Sequence, residues 1–252
     1  PPTFDMYQFF ANLNSISIEE APLKAENNFV LKVKDLIDAI TVKTKLVFIS
    51  TPNNPCGSST TINDIISVLE AVKDNAIVVV DEAYIEFSSI ESMIKQIRNH
   101  ENLIVLRTLS KAFSLAGARC GAMISSTEGI DLLKKTAPPF SFSTPTINHI
   151  ESVLSSDDLR ANNRHIKNIV TQREHLNESL STLSCVKNVW KSDGNFLLVR
   201  FINTNSILNA LEENHILVGQ IKNSDALKDC LRITVGNSEE NRKLIETISS
   251  VI

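Results

Sequence analysis

Residues 76–81 read AIVVVD and residues 102–108 read NLIVLRT, two continuous apolar runs that end in polar residues. Three further stretches are strand candidates: 14–18, KLVFIS at 45–50 and RCGAMIS at 119–125. Amphipathic stretches between these runs predict three helices, at 32–42, 61–74 and 89–99. Apolar strands that alternate with helices are typical of a mostly parallel sheet with helices on both faces. The sequence therefore predicts an α/β fold.

The pattern changes after residue 144, where two long polar helices are predicted. The remainder predicts a short α+β unit with four strands, at 185–190, 195–201, 216–219 and 229–235. Its two helices are expected at 204–214 and 238–251. We therefore expect a large domain over residues 1–144, and a helical connector with a small C-terminal domain over residues 145–252.

Composition argues against nucleic-acid binding, membrane binding and a metal site. The 252 residues carry a net charge of −4 without basic blocks, so neither nucleic acid nor an anionic membrane is an expected partner. The four cysteines form no CxxC pair and the five histidines show no ligand spacing, so we expect no metal site. Without a visible signal peptide, a reducing cytoplasm is the expected location.

Polar residues that could take part in catalysis or binding follow three of the predicted strands. Asn53 and Asn54 follow the first, Asp81 and Tyr84 the second, and Ser110 and Lys111 the third. In open parallel sheets, ligands bind outside the carboxyl ends of the strands. We therefore expect these side chains to meet at one edge of the sheet.

Lys111, in RTLSKAFSLAGARCGAM (107–123), has two interpretations. A lysine that follows a strand most often reaches into solvent. Alternatively, it is a Schiff-base lysine, since a desolvated amine is a nucleophile toward aldehydes. The second interpretation requires an aldehyde cofactor, and the rest of the chain must supply residues that hold it.

VVVDEAY (78–84) is compatible with such a cofactor. As a Walker B strand it lacks its partner motif, because no GxxxxGK[ST] occurs in the chain. A strand end capped by acids remains common. A third interpretation is that Asp81 pairs with a protonated pyridine nitrogen and Tyr84 donates to a phenolic oxygen on the same ring. Those are contacts that pyridoxal phosphate requires.

Two further stretches fit the same cofactor. STPNNPCG (50–57) predicts a tight turn, and its Asn54 amide can donate to the ring oxygen. Ser110 and Arg119 flank the lysine and can bind a phosphate, although Arg119 alone would usually be a surface cation.

Six stretches together resemble the histidinol-phosphate aminotransferases, pyridoxal-phosphate enzymes of fold type I. They are PPTFDMY, STPNNPCG, VVVDEAYIEF, RTLSKAFSLAGARCG, APPFSFSTP and CLRITVG, in the family's order. The resemblance runs over nearly the whole chain, but the family's N-terminal part is absent. It implies a homodimer that exchanges an amino group between histidinol phosphate and 2-oxoglutarate by a ping-pong mechanism.

The resemblance also implies a role for individual residues. Lys111 would form the Schiff base and move the substrate proton, Asp81 would pair with the pyridine nitrogen, and Tyr84 would hydrogen-bond the ring hydroxyl. The other implied contacts are Asn54 with the ring hydroxyl and substrate, Ser110 and Arg119 with the cofactor phosphate, Phe4 with the ring face, and Arg232 with the acidic end of the substrate. We also expect a cis bond between Asn54 and Pro55.

Three positions depart from the family pattern. Gly219 stands where the family usually has an arginine, and Lys222 is the nearest cation that could substitute for it. Cys56 replaces a usual threonine, and Phe4 replaces a usual tyrosine. Because of Gly219, an aromatic aminotransferase or an enzyme like the phosphothreonine decarboxylases remains an alternative function. Because the N-terminal part is absent, an inactive, truncated chain is a further alternative.

Overall fold

A four-stranded sheet, here called sheet A, lies in the first half of the chain. The computed structural model describes residues 1–221 and 224–251, except for the side chains of residues 156–158. The strands of sheet A are β1 (Leu46–Ser50), β2 (Ile77–Asp81), β3 (Leu103–Thr108) and β4 (Gly121–Ile124). They are ordered β1-β2-β3-β4, with β1 to β3 parallel and β4 antiparallel to β3.

Helices lie on both faces of sheet A. Apolar residues of α2 (Val33–Ala39) and α3 (Ile62–Ala71) pack with inward-facing valines and isoleucines of β1 and β2 in one buried cluster. Thr61 begins α3 by accepting a hydrogen bond from the Asp64 backbone N–H, which satisfies one of the exposed donors of the first turn. On the opposite face, a ring of α1 (Met6–Leu13) stacks on Phe48. The predicted α/β fold is confirmed.

Among the described residues, the second half of the chain contains five α-helices and an antiparallel sheet, here called sheet B. Two helices follow α4 (Thr127–Lys134), namely α5 (Thr144–Val153) and the long α6 (Ser156–Ser181). Sheet B has the order β5-β6-β8-β7 and comprises β5 (Val186–Trp190), β6 (Phe196–Phe201), β7 (Gly219–Gln220) and β8 (Cys230–Thr234). Helices α7 (Thr204–Glu213) and α8 (Ser238–Ser249) pack with β6 and β8 in a second buried cluster.

The two sheets are joined through buried contacts. Tyr84 and Ala112, which follow β2 and β3, belong to the same apolar cluster as Phe196 of sheet B. Arg173 of α6 is only 6% exposed and donates from Nη1 to the carbonyl oxygens of Phe87 at 3.2 Å and Gly194 at 2.9 Å. A buried guanidinium is tolerated because these carbonyls replace its water. The carboxyl ends of β2 and β3 therefore face sheet B.

Three local predictions were wrong or incomplete. Residues 14–18 form no strand, because Ser15 takes a left-handed backbone conformation (φ 54°) and Ile16 and Ile18 remain exposed. The helix expected at 89–99 shrinks to a 3₁₀ turn at Met93–Gln96, since the Glu82 carboxylate accepts the Met93 N–H and the Ser92 hydroxyl. The strand expected at 216–219 is reduced to β7 at Gly219–Gln220, and helices at Met6–Leu13 and Thr127–Lys134 were not predicted.

The turn after β1 passes very close to sheet B. Gly57 has φ +79°, and a Cβ placed on it would lie 2.2 Å from Ser192 Oγ and 2.8 Å from Ser192 Cα. The Gly57 carbonyl also accepts the Asp193 N–H at 2.8 Å. Only glycine fits both the positive φ and this approach. The turn that carries Asn54 is thus locked against the loop between β5 and β6.

We expect Gly57→Ala to lower the free energy of unfolding by about 1–3 kcal/mol, since alanine meets both backbone strain and the Ser192 backbone. Denaturant unfolding followed by circular dichroism measures this change. Gly117→Ala is the matched control, because its φ is not positive and no atom of the described residues lies within 4 Å of its added Cβ. Equal losses for the two variants would contradict the close approach.

Candidate active site

Arg232 connects sheet B to two of the sequence-predicted residues. It lies on β8, opposite Leu198 of β6 and Gly219 of β7. Its Nη1 donates to Asn54 Oδ1 at 3.2 Å, and its Nη2 donates to the Tyr84 hydroxyl at 3.4 Å. Residues far apart in sequence therefore meet at one guanidinium.

The surroundings of Arg232 favour an anionic ligand. The guanidinium carbon lies 4.3 Å from the centre of the Phe196 ring and 5.9 Å from the centre of the Tyr84 ring. Aromatic faces stabilise a cation without neutralising its charge. Its Nε is buried and has no hydrogen-bond partner in the part of the chain that the structure describes. The group thus retains both charge and donors for a carboxylate or phosphate.

Lys111 approaches the same tyrosine. Its Nζ lies 5.6 Å from the centre of the Tyr84 ring, which is 4% exposed. The lysine follows the end of β3 by three residues and its side chain is exposed, so its ammonium keeps contact with water. Because the side chain is exposed, its charge does not incur the free-energy cost of burial in this structure. Two cations, Lys111 and Arg232, therefore lie near one buried phenol.

Asp81 ends β2 and accepts two hydrogen bonds. The Tyr7 hydroxyl donates to Oδ2 at 2.5 Å, and the Ala83 backbone N–H donates to Oδ1 at 3.0 Å. Burial raises the pKa of the Tyr7 phenol, and the negative charge of Asp81 raises it further. Tyr7 consequently remains a protonated donor to the carboxylate.

The turn after β1 is fixed by the first residues of the chain. Thr3 Oγ1 donates to Asn53 Oδ1 at 2.7 Å, and Asn53 Nδ2 donates to the Pro2 carbonyl at 2.9 Å. The expected cis bond between Asn54 and Pro55 is confirmed. Asn53 therefore holds the turn in place, while Asn54 presents its amide to Arg232.

Three predicted residues, Phe4, Ser110 and Arg119, make no described hydrogen bond with Lys111, Asp81, Tyr84, Asn54 or Arg232. Phe4 is 37% exposed and meets Tyr7 edge to face at 5.6 Å. Arg119 is exposed and donates to the Ala116 carbonyl at 3.0 Å, and among the described hydrogen bonds none joins it to Ser110. The Ser110 N–H donates to Thr108 Oγ1 at 3.1 Å. Lys222, considered as a substitute at position 219, lies outside the described residues.

Tyr7 is the site residue that sequence analysis missed. It follows Phe4 by three residues in PPTFDMY, and residues so spaced share one face of a helix. That spacing was the available signal, but it carries weight only if a helix is expected there. The proximity of Tyr7 to Asp81, 74 residues away, depends on packing alone.

The residues present fit pyridoxal phosphate. Such a cofactor requires a carboxylate for its ring nitrogen, donors for its ring hydroxyl and an amine for its aldehyde. Asp81, Tyr84 with Asn54, and Lys111 are groups of those three kinds at neighbouring strand ends. Within the described residues, no group of three or more histidine, cysteine or acidic side chains could hold a metal ion.

Comparison with known proteins agrees with this chemistry. The sequence profile of the family called Aminotransferase class I and II matches residues 1–248. A histidinol-phosphate aminotransferase from Francisella philomiragia is 40% identical over 250 residues, which are 99% of this chain and 69% of that protein. Histidinol-phosphate aminotransferase 1 from Pasteurella multocida is 37% identical over 251 residues, 100% of this chain and 71% of that protein.

A solved structure shares the fold. Histidinol-phosphate aminotransferase from Sinorhizobium meliloti, in complex with pyridoxal-5'-phosphate, superposes with a TM-score of 0.87 at 21% identity, covering 99% of this chain and 68% of that one. The resemblance inferred from the six sequence stretches is confirmed by the family match and by relatives that align with almost every residue. The chain belongs to the class I and II aminotransferases, enzymes that use pyridoxal phosphate as cofactor.

Proposed function

We propose that this aminotransferase moves an amino group between histidinol phosphate and 2-oxoglutarate, an exchange of histidine biosynthesis. The observation that carries the proposal is the Arg232 guanidinium, which is held by Asn54 and Tyr84 and still has a buried donor to offer. Relatives at 40% and 37% identity that bear this name support the substrate. They do not favour the aromatic aminotransferase, decarboxylase or inactive-chain alternatives.

Pyridoxal phosphate, when bound, supplies an aldehyde that bonds to amines and a protonated ring nitrogen that draws electrons from the substrate α-carbon. Lys111 Nζ takes the proton from that carbon and returns a proton when the new amine forms. The exposed position of Lys111 allows its Nζ to move between these tasks. The lysine thus acts both as the anchor for the aldehyde and as the general base.

Side chains around Lys111 hold the ring. The Asp81 carboxylate pairs with the ring nitrogen, because an opposite charge favours its protonated form. The Tyr84 hydroxyl accepts from Arg232 and can donate its own proton to the ring hydroxyl, and the Asn54 NH₂ group can donate there too. Phe4 covers a face of the ring.

Ser110 and Arg119 hold the cofactor phosphate in this proposal. Arg119 now donates to the Ala116 carbonyl, so it must turn from that exposed contact toward the phosphate. An exposed guanidinium can do so at low cost, since water takes its place on the carbonyl. The Ser110 hydroxyl would add a neutral donor beside the arginine.

Arg232 binds the acidic end of both substrates. A guanidinium offers paired donors in one plane, which suit a carboxylate in one half-reaction and a phosphate in the other. Asn54 fixes one end of that plane and also contacts the substrate in this proposal. Gly219, opposite Arg232 on β7, adds no side chain to this binding group.

We also propose that the enzyme is a cytoplasmic homodimer, with a large domain over 1–144 and a connector with a small domain over 145–252. Three apolar side chains of α1 support association: Phe9, Phe10 and Leu13 are 55%, 55% and 68% exposed. No helix in the described ranges, 1–221 and 224–251, has the length and apolar character to cross a membrane. Light scattering should give twice the 27.9 kDa chain mass, and a single-chain mass would contradict the dimer.

Reduction with borohydride after addition of pyridoxal phosphate should trap the cofactor on Lys111, detected by mass spectrometry of the peptide. Lys111→Arg keeps the positive charge but cannot form this bond, so it should carry no adduct there and lose activity by at least about a hundredfold. Labelling spread evenly over other lysines, or unchanged in the variant, would contradict the role of Lys111.

Arg232→Lys should raise the KM for both histidinol phosphate and glutamate by about ten- to a hundredfold, since lysine keeps the charge but loses the planar fork. Steady-state kinetics with both substrates measures the effect. Arg242→Lys is the matched control, because Arg242 is an exposed arginine of α8 that pairs with Glu246 at 2.8 Å. Better turnover of phenylalanine than of histidinol phosphate by the wild-type enzyme would refute the substrate.

A further inference from the structure

Tyr7 makes a contact that the roles above leave unused. Its ring stacks on Phe48 of β1, with centres 4.9 Å apart and planes 28° apart, and meets the edge of Phe4 at 5.6 Å. Its hydroxyl points to Asp81 Oδ2 at 2.5 Å. The Tyr7 ring therefore packs against Phe48 and Phe4, while its hydroxyl donates a hydrogen bond to the Asp81 carboxylate.

The chain segment that carries Tyr7 is anchored independently. Thr3 donates to Asn53, and Asn53 donates back to the Pro2 carbonyl, in the turn that follows β1. Phe48 belongs to β1 itself. Two separate attachments to the same strand and its turn thus set the position of the phenol relative to Asp81 on the neighbouring strand.

Asp81 is held at both oxygens. Tyr7 donates to Oδ2 and the Ala83 N–H donates to Oδ1, which fixes the plane of the carboxylate. An ionised carboxylate has about four lone-pair positions, so these two bonds leave capacity for a further donor. A carboxylate in a fixed plane loses less freedom when that donor arrives.

The phenol keeps its proton over the working pH range. Burial raises the pKa of Tyr7, the Asp81 charge raises it further, and the hydrogen bond with Ser50 lowers it by less. The titratable groups that act on Tyr7 from the elements around it are Asp81 and Tyr84. Tyr7 thus remains neutral and donates a hydrogen bond to the Asp81 carboxylate, without adding a second negative charge beside it.

We propose that Tyr7 is a positioning residue of this active site and acts through Asp81. Its phenol fixes the orientation of the carboxylate that pairs with the cofactor's ring nitrogen, an inference that rests on the proposed role of Asp81. Tyr7 contacts Asp81 and needs no contact with the substrate. Its loss should therefore weaken cofactor binding and slow turnover while the KM for glutamate stays nearly constant.

A double-mutant cycle with Tyr7→Phe, Asp81→Asn and their combination tests this inference with two readouts. The first is unfolding of the protein without cofactor, and the second is the dissociation constant of pyridoxal phosphate from equilibrium dialysis. With Asp81 present, Tyr7→Phe should weaken cofactor binding about tenfold, as expected for a lost hydrogen bond to a charged group. In the Asp81→Asn background, the same change should have much less effect on both readouts.

Phe48→Leu is the control for packing. It removes the stacked ring but retains the phenol itself, Asp81 and the second attachment through Thr3, Asn53 and Pro2. It should lower the stability of the cofactor-free protein and change the affinity for pyridoxal phosphate less than Tyr7→Phe does. If the two variants alter the affinity equally, Tyr7 serves packing and the inference is overturned.

Three further outcomes of the double-mutant cycle would overturn the role of Tyr7. Equal losses from Tyr7→Phe in both backgrounds would show that Tyr7 does not act through Asp81, and a loss of stability with unchanged affinity would show a structural bond only. Each overturns the inference and leaves the proposed function intact. A wild-type protein that binds no pyridoxal phosphate would instead overturn the proposed function and the Tyr7 role together, whatever coupling the unfolding data show.

Discussion

The hydrogen bonds of the Arg232 guanidinium hold the active site together. It reaches from sheet B to Asn54 and Tyr84, which follow two different strands of sheet A. A partly buried cation needs polar or aromatic partners, and here the Asn54 oxygen, the Tyr84 hydroxyl and the Phe196 ring provide them. These partners hold the group in place without cancelling its charge, so the attraction for an anion is retained.

The closeness of the two sheets makes that contact possible. Arg173 joins α6 to the Phe87 and Gly194 carbonyls, and the turn at Gly57 fits against Ser192 with no space for a side chain. Tyr84 then packs edge to face on Phe196, with ring centres 5.1 Å apart. Apolar burial brings the halves together, and directional hydrogen bonds set their register. The active-site residues lie along this junction.

Much of the architecture could be predicted from local sequence. The runs KLVFIS, AIVVVD and NLIVLRT became β1, β2 and β3 within one residue at each end, because continuous β-branched segments of that length fit buried parallel strands. The strand predicted at residues 14–18 does not form, because a strand also needs a partner. Their alternation had no neighbouring strand to pair with, and an isolated strand has no source of stability. Helix α1 begins after Asp5, whose side chain makes no cap hydrogen bond, and its Tyr7 contacts sheet A at Phe48 and Asp81.

Local sequence was sufficient to predict the α/β class, the strands that carry the site and the types of group at their ends, since periodicity and turn chemistry are local properties. The same local patterns indicated Lys111, Asp81, Tyr84 and Asn54, whereas Arg232 was indicated only by the family resemblance. Long-range packing sets the contacts of Arg232 with Asn54 and Tyr84, and the hydrogen bond from Tyr7 to Asp81. Hydrogen bonds between residues up to 178 positions apart depend on how two sheets pack, which no local pattern encodes.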